Sequence, residues 1–246
     1  AGIDLEAVVW RESGRIGTYY LDFATPPRPT QAIYDRAGSC AALLQPEDIS
    51  WEYLLGSRLL HLTGITPALS TSCAAVTAEA VRRAREAGVP ISFDVNYRQL
   101  LWTPQEAAAT LTPLIQGVDL LLCGLRDAAL LFGCTGAPEE VLQALAALSQ
   151  AKQVVLSTGE GGVVAWDGER VLQQPSVPVG MIDRLGAGDA LAAGVIHGWL
   201  DGDLAQGLRY GTMLAALALS QHGDMVVVTP AELAALLAGE GGRLVR

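Results

Sequence analysis

The chain has 246 residues, of which half are hydrophobic and 17% are charged. This composition is typical of a globular protein and excludes a disordered chain. The formal net charge of −10 disfavours polyanionic partners such as nucleic acid or an anionic membrane surface. A small anionic substrate would need a local cluster of basic side chains.

Cysteine and histidine usage is equally informative. The four cysteines form no CxxC pair, and the three histidines lack metal-ligand spacing, which argues against a zinc site. Scattered thiols are typical of a reducing compartment, so we expect a cytoplasmic protein. No signal peptide is predicted, and the apolar runs are interrupted well short of the ~20 residues of a transmembrane helix.

The first part of the chain is predicted to be β-structure with turns. Segments 8–10, 18–23 and 31–36 are rich in the β-branched and aromatic residues that strands favour. We expect a strand in each.

From about residue 46 the pattern changes to alternating strands and helices. Strands are predicted at 58–64, 89–95, 118–123 and 152–158, followed by a hairpin around Asp167-Gly168. Helix starts are predicted from capping and proline signals at 70–72, 103–106, 138 and 229–232. Such alternation predicts a mainly parallel sheet with helices on both faces and a site at the strands' carboxyl edge.

The sharpest local feature is the segment Ile182-Asp-Arg-Leu-Gly-Ala-Gly-Asp-Ala190. Its glycines let the backbone turn tightly at the start of a predicted helix, whose positive end and free amides attract an anion. Asp189, in the first turn of that helix, can accept a proton from an attacking hydroxyl during phosphoryl transfer. A glycine-rich turn with an aspartate that only complements the helix dipole would give the same pattern.

Other phosphate-binding and catalytic motifs fit less well. A dinucleotide-binding GxGxxG needs a small residue at position 191, where the chain has Leu191. The sequence contains no Gly-Lys pair, so a Walker A loop is absent, and it contains no GxSxG nucleophile turn.

The D-x-x-G-A-G-D-A motif followed by a helix of small residues resembles the C-terminal signature of ribokinase-like (PfkB) carbohydrate kinases. Segments 33–39, 61–70, 93–107, 117–133 and 154–162 resemble 2-keto-3-deoxygluconate kinases, in the same order. The resemblance implies an α/β fold, namely a three-layer αβα sandwich with a mainly parallel sheet plus a small β-lid. It places the lid in residues 1–36 and the nucleotide- and sugar-binding kinase domain in residues 37–246.

The resemblance also implies roles for particular residues. Asp189 is expected to be the catalytic base, assisted by the amides of Gly186, Ala187 and Gly188. The nucleotide is expected near Thr158, Gly159, Gly162 and Asp127. Expected substrate contacts are Tyr19, Tyr34, Arg36, Ile65 and Arg98. ATP and Mg²⁺ are the implied cofactors, with no direct protein ligand assigned to the metal, and a monovalent cation is a further candidate cofactor because some relatives have a site for one.

The implied substrate residues make physical sense for a sugar acid. The forked guanidinium groups of Arg36 and Arg98 suit a carboxylate, and Tyr19 and Tyr34 offer hydroxyls and rings to a sugar. Other readings stay open, since the tyrosines also suit strand packing and Arg98 could pair with Asp94.

The expected function is ATP-dependent transfer of a phosphoryl group to a primary hydroxyl of a sugar acid of the 2-keto-3-deoxygluconate type. A fructokinase, a 5-dehydro-2-deoxygluconate kinase or a non-catalytic sugar-binding relative remain alternatives. We expect a small-molecule sugar acid and ATP as partners, no nucleic acid or membrane partner, and a homo-oligomer formed through the lid, because exposed strand edges invite pairing.

Three departures from the family pattern stand out. Gly124 and Asp127 occupy the positions of an Asn-x-x-Glu element. Arg184 either assists the phosphate or takes the place of a monovalent cation. The family's N-terminal stretch, with the first strand of the main sheet and half of the lid, is not visible, so we expect a fragment, or a truncated form with impaired binding.

Overall fold

The structure is a computed structural model that describes residues 2–24, 27–28 and 31–239. The chain divides into two compact units. Unit 1 comprises residues 1–91 and 96–114, and unit 2 comprises residues 92–95 and 115–246. The predicted division at residue 36 stays a prediction. None of the helices in the described part of the chain is long and apolar enough to cross a membrane.

Unit 1 begins with a small antiparallel sheet of two strands, β1 (Thr18–Asp22) and β2 (Gln31–Asp35). The register places Tyr19 directly opposite Tyr34. These are two of the three predicted strands. The third prediction, at 8–10, is wrong, because Trp10 is 79% exposed and its segment has no regular structure. Strand propensity acts only where a sheet offers neighbours to pack against.

The rest of unit 1 is mainly helical. Its elements are α1 (Trp51–Leu55), β3 (Leu60–Thr63), α2 (Ile65–Leu69), α3 (Thr71–Ala87) and α4 (Pro104–Ile115). The Ser70 hydroxyl accepts a hydrogen bond from the Cys73 amide at 3.1 Å, and Gly88 ends α3 in the left-handed region with φ 70°. Both caps were predicted. The five-residue helices α1 and α2 were not, because one turn carries no periodic signal.

Unit 2 carries a mixed sheet. In order across the sheet, its strands are β4 (Ile91–Asp94), β5 (Leu120–Gly124), β6 (Gln153–Ser157), β7 (Val163–Trp166) and β8 (Val171–Gln174). The first three are parallel, whereas β7 and β8 are antiparallel to their neighbours. A five-residue turn joins β6 to β7, too short for the crossover that a parallel strand requires.

The described residues of unit 2, which end at 239, also form the helices α5 (Leu125–Phe132), α6 (Pro138–Ser149), α7 (Ala187–Leu200), α8 (Leu204–Leu219) and α9 (Pro230–Leu237). One buried cluster joins the sheet to α7 and α8. The strands contribute Leu120, Leu122, Val155, Val163 and Ala165. The helices contribute Ala192 and Val195 from α7 and Leu204 and Leu208 from α8. Burial at about 25 cal/mol per Å² of apolar surface fixes α7 against the sheet.

Four glycines bring α7 and α8 into backbone contact. A Cβ added at Gly194 would lie 2.4 Å from the Gly211 nitrogen, and one added at Gly198 would lie 2.3 Å from the Gly207 Cα. No side chain fits at these positions. The helix that begins at the predicted anion site is therefore held in a fixed place by close packing.

Candidate active site

The glycine-rich segment forms the start of α7, as predicted. We call residues 183–188 the phosphate loop. Gly186 adopts φ 71°, and a Cβ there would lie 2.4 Å from the Asp224 carbonyl oxygen, so only glycine fits. A Cβ at Gly188 would meet nothing within 4 Å, so the backbone is open at this point. Asp189, in the first turn of α7, is exposed, and nothing described blocks its carboxylate from a substrate.

Asp183, the first residue of this loop, is a buried carboxylate to which the sequence assigned no role. It is 6% exposed. Its Oδ1 accepts hydrogen bonds from the amides of Arg184 at 2.6 Å and Leu185 at 3.2 Å, and its Oδ2 accepts one from Gly223 at 3.4 Å. The only sequence signal was its place in the motif; the partner at Gly223 is forty residues away.

The three predicted nucleotide residues on the β6–β7 turn lie together. Thr158 donates to the Gly162 carbonyl through its amide at 2.9 Å and its hydroxyl at 3.0 Å, and the Gly162 amide donates to the Gly159 carbonyl at 3.0 Å. Gly162 has φ 90°, and a Cβ there would lie 2.2 Å from the Gln174 carbonyl oxygen. The close approach of the strand β8 thus requires glycine at 162.

The carboxyl end of β5 brings polar groups together at Gly124. This residue pairs with Ser157 on β6, and a Cβ on it would lie 3.8 Å from both the Asp127 Oδ2 and the Ser157 Oγ. The carboxylate and the hydroxyl therefore flank an open notch. Ser157 was not predicted from the sequence, because the pairing of β5 with β6, rather than any local motif, brings it to this place.

The carboxylate of Asp127 also influences the electrostatics of its surroundings. Burial raises the pKa of the Cys123 thiol well above its usual value, and the carboxylates of Asp127 and Asp94 raise it further. Negative charge is thus concentrated at the carboxyl ends of β4 and β5. The described residues contain no group of three or more acidic, cysteine or histidine side chains able to hold a metal by themselves. The donor set fits Mg²⁺, which is usually held by one or two carboxylates together with phosphate oxygens and water.

Four of the five predicted substrate residues lie together in unit 1. The rings of Tyr19 and Tyr34 have centroids 6.0 Å apart, and the Arg36 guanidinium lies 4.2 Å above the Tyr34 ring. Arg98 is close enough to Arg36 to perturb it electrostatically. Ile65 is the first residue of α2 and is partly buried; the ring and charge contacts that define this substrate cluster do not involve it.

The substrate cluster holds cationic groups with unused hydrogen-bonding capacity. The Nε atoms of Arg36 and Arg98 are buried and have no hydrogen-bond partner. Burial lowers the pKa of the Arg36 guanidinium, and the adjacent Arg98 cation lowers it further. Two buried, unpaired donors on neighbouring like charges are unfavourable in isolation. An anion would satisfy both donors and both charges.

The fold and the two sets of residues define a class of protein. The chain combines an α/β unit, with a glycine-rich helix start and an aspartate in its first turn, and a second unit with a cationic and aromatic cluster. This combination is typical of a phosphotransferase acting on a small polar molecule. Residues 1–231 match the model of the pfkB family carbohydrate kinases. The chain belongs to this family and is a sugar kinase.

Relatives with sugar-acid substrates are similar over most of the chain. A 2-dehydro-3-deoxygalactonokinase of Haloferax volcanii is 34% identical over 233 residues, covering 94% of this chain and 73% of the relative. A 2-dehydro-3-deoxygluconokinase of Thermoproteus tenax is 30% identical, covering 91% and 68%. The crystal structure of the 2-dehydro-3-deoxygluconokinase of Thermotoga maritima matches with a TM-score of 0.85 at 29% identity, covering 92% and 74%.

Proposed function

We propose that this sugar kinase phosphorylates a sugar acid, either 2-dehydro-3-deoxygluconate or its galactonate counterpart. The observation that carries the proposal is the pair of buried, unpartnered Nε atoms on Arg36 and Arg98. A neutral sugar would leave two adjacent cations uncompensated, whereas a carboxylate accepts hydrogen bonds from both guanidinium forks. The aromatic rings of Tyr19 and Tyr34 supply the packing surface for the carbon chain.

The proposed chemistry is direct transfer of the γ-phosphoryl group of ATP to a primary hydroxyl, that of carbon six in these substrates. Asp189 accepts the hydroxyl proton. The amides of Gly186, Ala187 and Gly188 donate hydrogen bonds to the phosphoryl oxygens, and the dipole of α7 adds to this stabilisation. Thr158, Gly159 and Gly162 form the turn that we assign to the nucleotide.

Mg²⁺ would neutralise phosphate charge when bound. Asp127, with the Ser157 hydroxyl beside it, would hold the hydrated ion and so replace the missing Asn-x-x-Glu element. Arg184 is exposed and its Nε lies 3.1 Å from the Met181 sulfur. The hypothesis that this arginine takes the place of a bound monovalent cation can be tested by measuring activity with either K⁺ or choline as the sole monovalent cation. If the hypothesis is correct, the two rates agree.

A second candidate substrate is 5-dehydro-2-deoxygluconate. A 5-dehydro-2-deoxygluconokinase of Listeria monocytogenes is 28% identical, with 92% of this chain and 70% of the relative covered. This compound is likewise a sugar acid, so the substrate cluster of unit 1 would serve it by the same contacts. Fructose has no carboxylate, and we expect it to be a poor substrate.

The experiment that tests the function is ADP formation from ATP and Mg²⁺ with a panel of sugars. The panel contains 2-dehydro-3-deoxygluconate, 2-dehydro-3-deoxygalactonate, 5-dehydro-2-deoxygluconate and fructose. Turnover of one or more of the acids with a much lower kcat/KM for fructose supports the proposal. A higher kcat/KM for fructose than for every acid would overturn the carboxylate assignment, and sugar binding without ADP formation would favour a non-catalytic relative.

We further propose a homo-oligomer formed through the β1–β2 sheet, which would be the lid. Tyr20 and Ile33 are 62% and 60% exposed on these strands and pair across them, and exposed apolar strands favour association. Light scattering of the protein and of Ile33→Asp tests this, with a lower mass expected for the variant. We also propose a cytoplasmic location, because the four scattered cysteines of the sequence are typical of a reducing compartment.

A further inference from the structure

A buried carboxylate at the start of the phosphate loop takes no part in the transfer chemistry described above. Asp183 lies three residues before Gly186, where the amides of Gly186 to Gly188 begin, and six residues before Asp189. A negative charge near an anion site opposes phosphate binding, so direct contact with the phosphoryl group is not its role. Its partners are backbone amides, which a charged acceptor binds more strongly than a neutral one.

The Asp183 carboxylate holds two segments of backbone together. One oxygen accepts from the amides of Arg184 and Leu185, which shapes the loop itself. The other accepts from the amide of Gly223, in the turn that follows α8. The loop and this turn, distant in sequence, are therefore joined through one side chain.

Two other contacts connect the same segments. The Ile182 amide donates to the Leu219 carbonyl at 2.8 Å, and Gly186 packs so closely on the Asp224 carbonyl that no side chain would fit. The position of the loop thus depends on the turn after α8, and Asp183 is the side chain that joins them.

We infer that Asp183 is a positioning residue for phosphoryl transfer, whose carboxylate fixes the phosphate loop so that its amides point at the transferring group. The inference rests on the proposed function. Donors that stabilise developing charge must be in place before the reaction, and a shift of about 1 Å can lower the rate about 100-fold.

The variants Asp183→Asn and Asp183→Ala test this role. The asparagine keeps one acceptor oxygen for Arg184 and Leu185 but presents an amide group to the Gly223 N–H. We therefore expect a graded loss of kcat, about 10-fold for Asp183→Asn and about 100-fold for Asp183→Ala. KM for the sugar should stay within about threefold, because the substrate cluster is unchanged.

Asp167 offers a matched control. Its Oδ1 accepts from the amides of Glu169 and Arg170, each at 2.8 Å, in the β7–β8 hairpin turn, at the opposite end of β7 from Gly162. Asp167→Asn removes the same kind of contact, so we expect a comparable small fall in the melting temperature but an unchanged kcat. An equal loss of kcat in Asp167→Asn, or a folded Asp183→Ala with kcat within twofold of the parent, would overturn the inference.

If Asp183→Ala does not fold, amide hydrogen exchange on the unmutated protein tests whether the Asp183 carboxylate holds the phosphate loop in place. We expect slow exchange at Arg184, Leu185 and Gly223, and fast exchange at Gly188. Equal rates at all four amides would overturn the inference. If the protein phosphorylates no sugar, the proposed function fails, but this measurement still shows whether Asp183 holds the loop.

Discussion

The substrate cluster of unit 1 and the phosphate loop of unit 2 differ in whether their buried polar groups have hydrogen-bond partners. In the substrate cluster of unit 1, the Nε atoms of Arg36 and Arg98 have no partner. In the phosphate loop of unit 2, the Asp183 carboxylate accepts from three backbone amides. An unsatisfied buried donor costs about 1–3 kcal/mol, whereas a satisfied carboxylate holds its surroundings rigid.

This difference agrees with the roles that we propose for the two sets of residues, namely substrate recognition by the substrate cluster and support of the transfer step by the phosphate loop. Groups that recognise a ligand can lower the stability of the free protein, because the ligand completes their hydrogen bonds. Groups that support the transfer step must already be ordered, because reorganisation during the reaction slows it. Substitution of Arg98 in the substrate cluster and of Asp183 in the phosphate loop should therefore change stability in opposite directions.

The largest expected effect is the loss of the base in Asp189→Asn. An amide cannot accept the hydroxyl proton, and general bases contribute about 10²–10⁴-fold to rates, so we expect kcat to fall about 1,000-fold. The side chain is exposed, so the melting temperature should change little. The control is Asp201→Asn, at the other end of α7 and also exposed, which should keep full activity. A kcat above a tenth of the parent value for Asp189→Asn would exclude it as the base.

Next in size is the effect of Arg98→Leu on sugar-acid affinity. Hydrogen bonds to charged groups contribute about 1.5–3 kcal/mol, so KM for the acid should rise on the order of 30-fold while KM for ATP stays constant. Because Arg98 lowers the pKa of the Arg36 guanidinium, its removal should leave the melting temperature unchanged or raise it. Arg209→Leu, an exposed arginine on α8, is the matched control. Equal losses for both ligands would contradict the carboxylate assignment.

A comparison within one helix isolates the α7–α8 contact. Gly194→Ala inserts a methyl group 2.4 Å from the Gly211 nitrogen, while Gly188→Ala meets nothing within 4 Å. We expect Gly194→Ala to lower the free energy of unfolding by about 2–3 kcal/mol and Gly188→Ala to leave it unchanged or raise it slightly. Denaturant titration measures both. Equal values would mean that the helices can separate without cost.

The smallest effect is expected on the outer surface of α3. Glu79 accepts hydrogen bonds from Arg82 and Arg83, which lower its pKa from 4.5 to about 2. Because the pKa of Glu79 is lower in the folded state than in the unfolded state, the ionised carboxylate stabilises the folded protein above pH 4.5. This stabilisation is lost as the pH falls towards 2. Glu79→Gln should therefore lower the melting temperature only slightly at pH 7, with the difference vanishing near pH 2. A difference that grows on acidification would contradict the assignment.

Much of the fold followed from local signals. The cap at Ser70, the stop at Gly88 and the box at Thr103 and Glu106 were predicted because capping uses side chains within one turn of their partners. The antiparallel direction of β7 was not, although the short turn after β6 contained the information. The strand expected at 8–10 is absent, because propensity without a neighbouring strand does not form a sheet.

The candidate site likewise contains features that could be predicted from the sequence and features that could not. The start of α7 and the place of Asp189 were predicted from consecutive residues, since a glycine-rich helix start is a local feature. The roles of Asp189, the amides and the nucleotide turn remain predictions for the experiments above. The position of Ser157 could not be predicted, because strand register brings it to Gly124. The contact between Asp183 and Gly223 could not be predicted either, because it depends on where the turn after α8 lies.

The sequence by itself determined the helix caps, the order of the strands and the longer helices from β3 onward, and the family, because these depend on residues near one another in the chain or on a motif of nine. Only the tertiary structure decided that Arg36 and Arg98 stand together without hydrogen-bond partners at Nε, and that glycines on two helices meet. The physical reason is that burial and close contact depend on which distant segments pack together, and no local pattern of residue types contains that information.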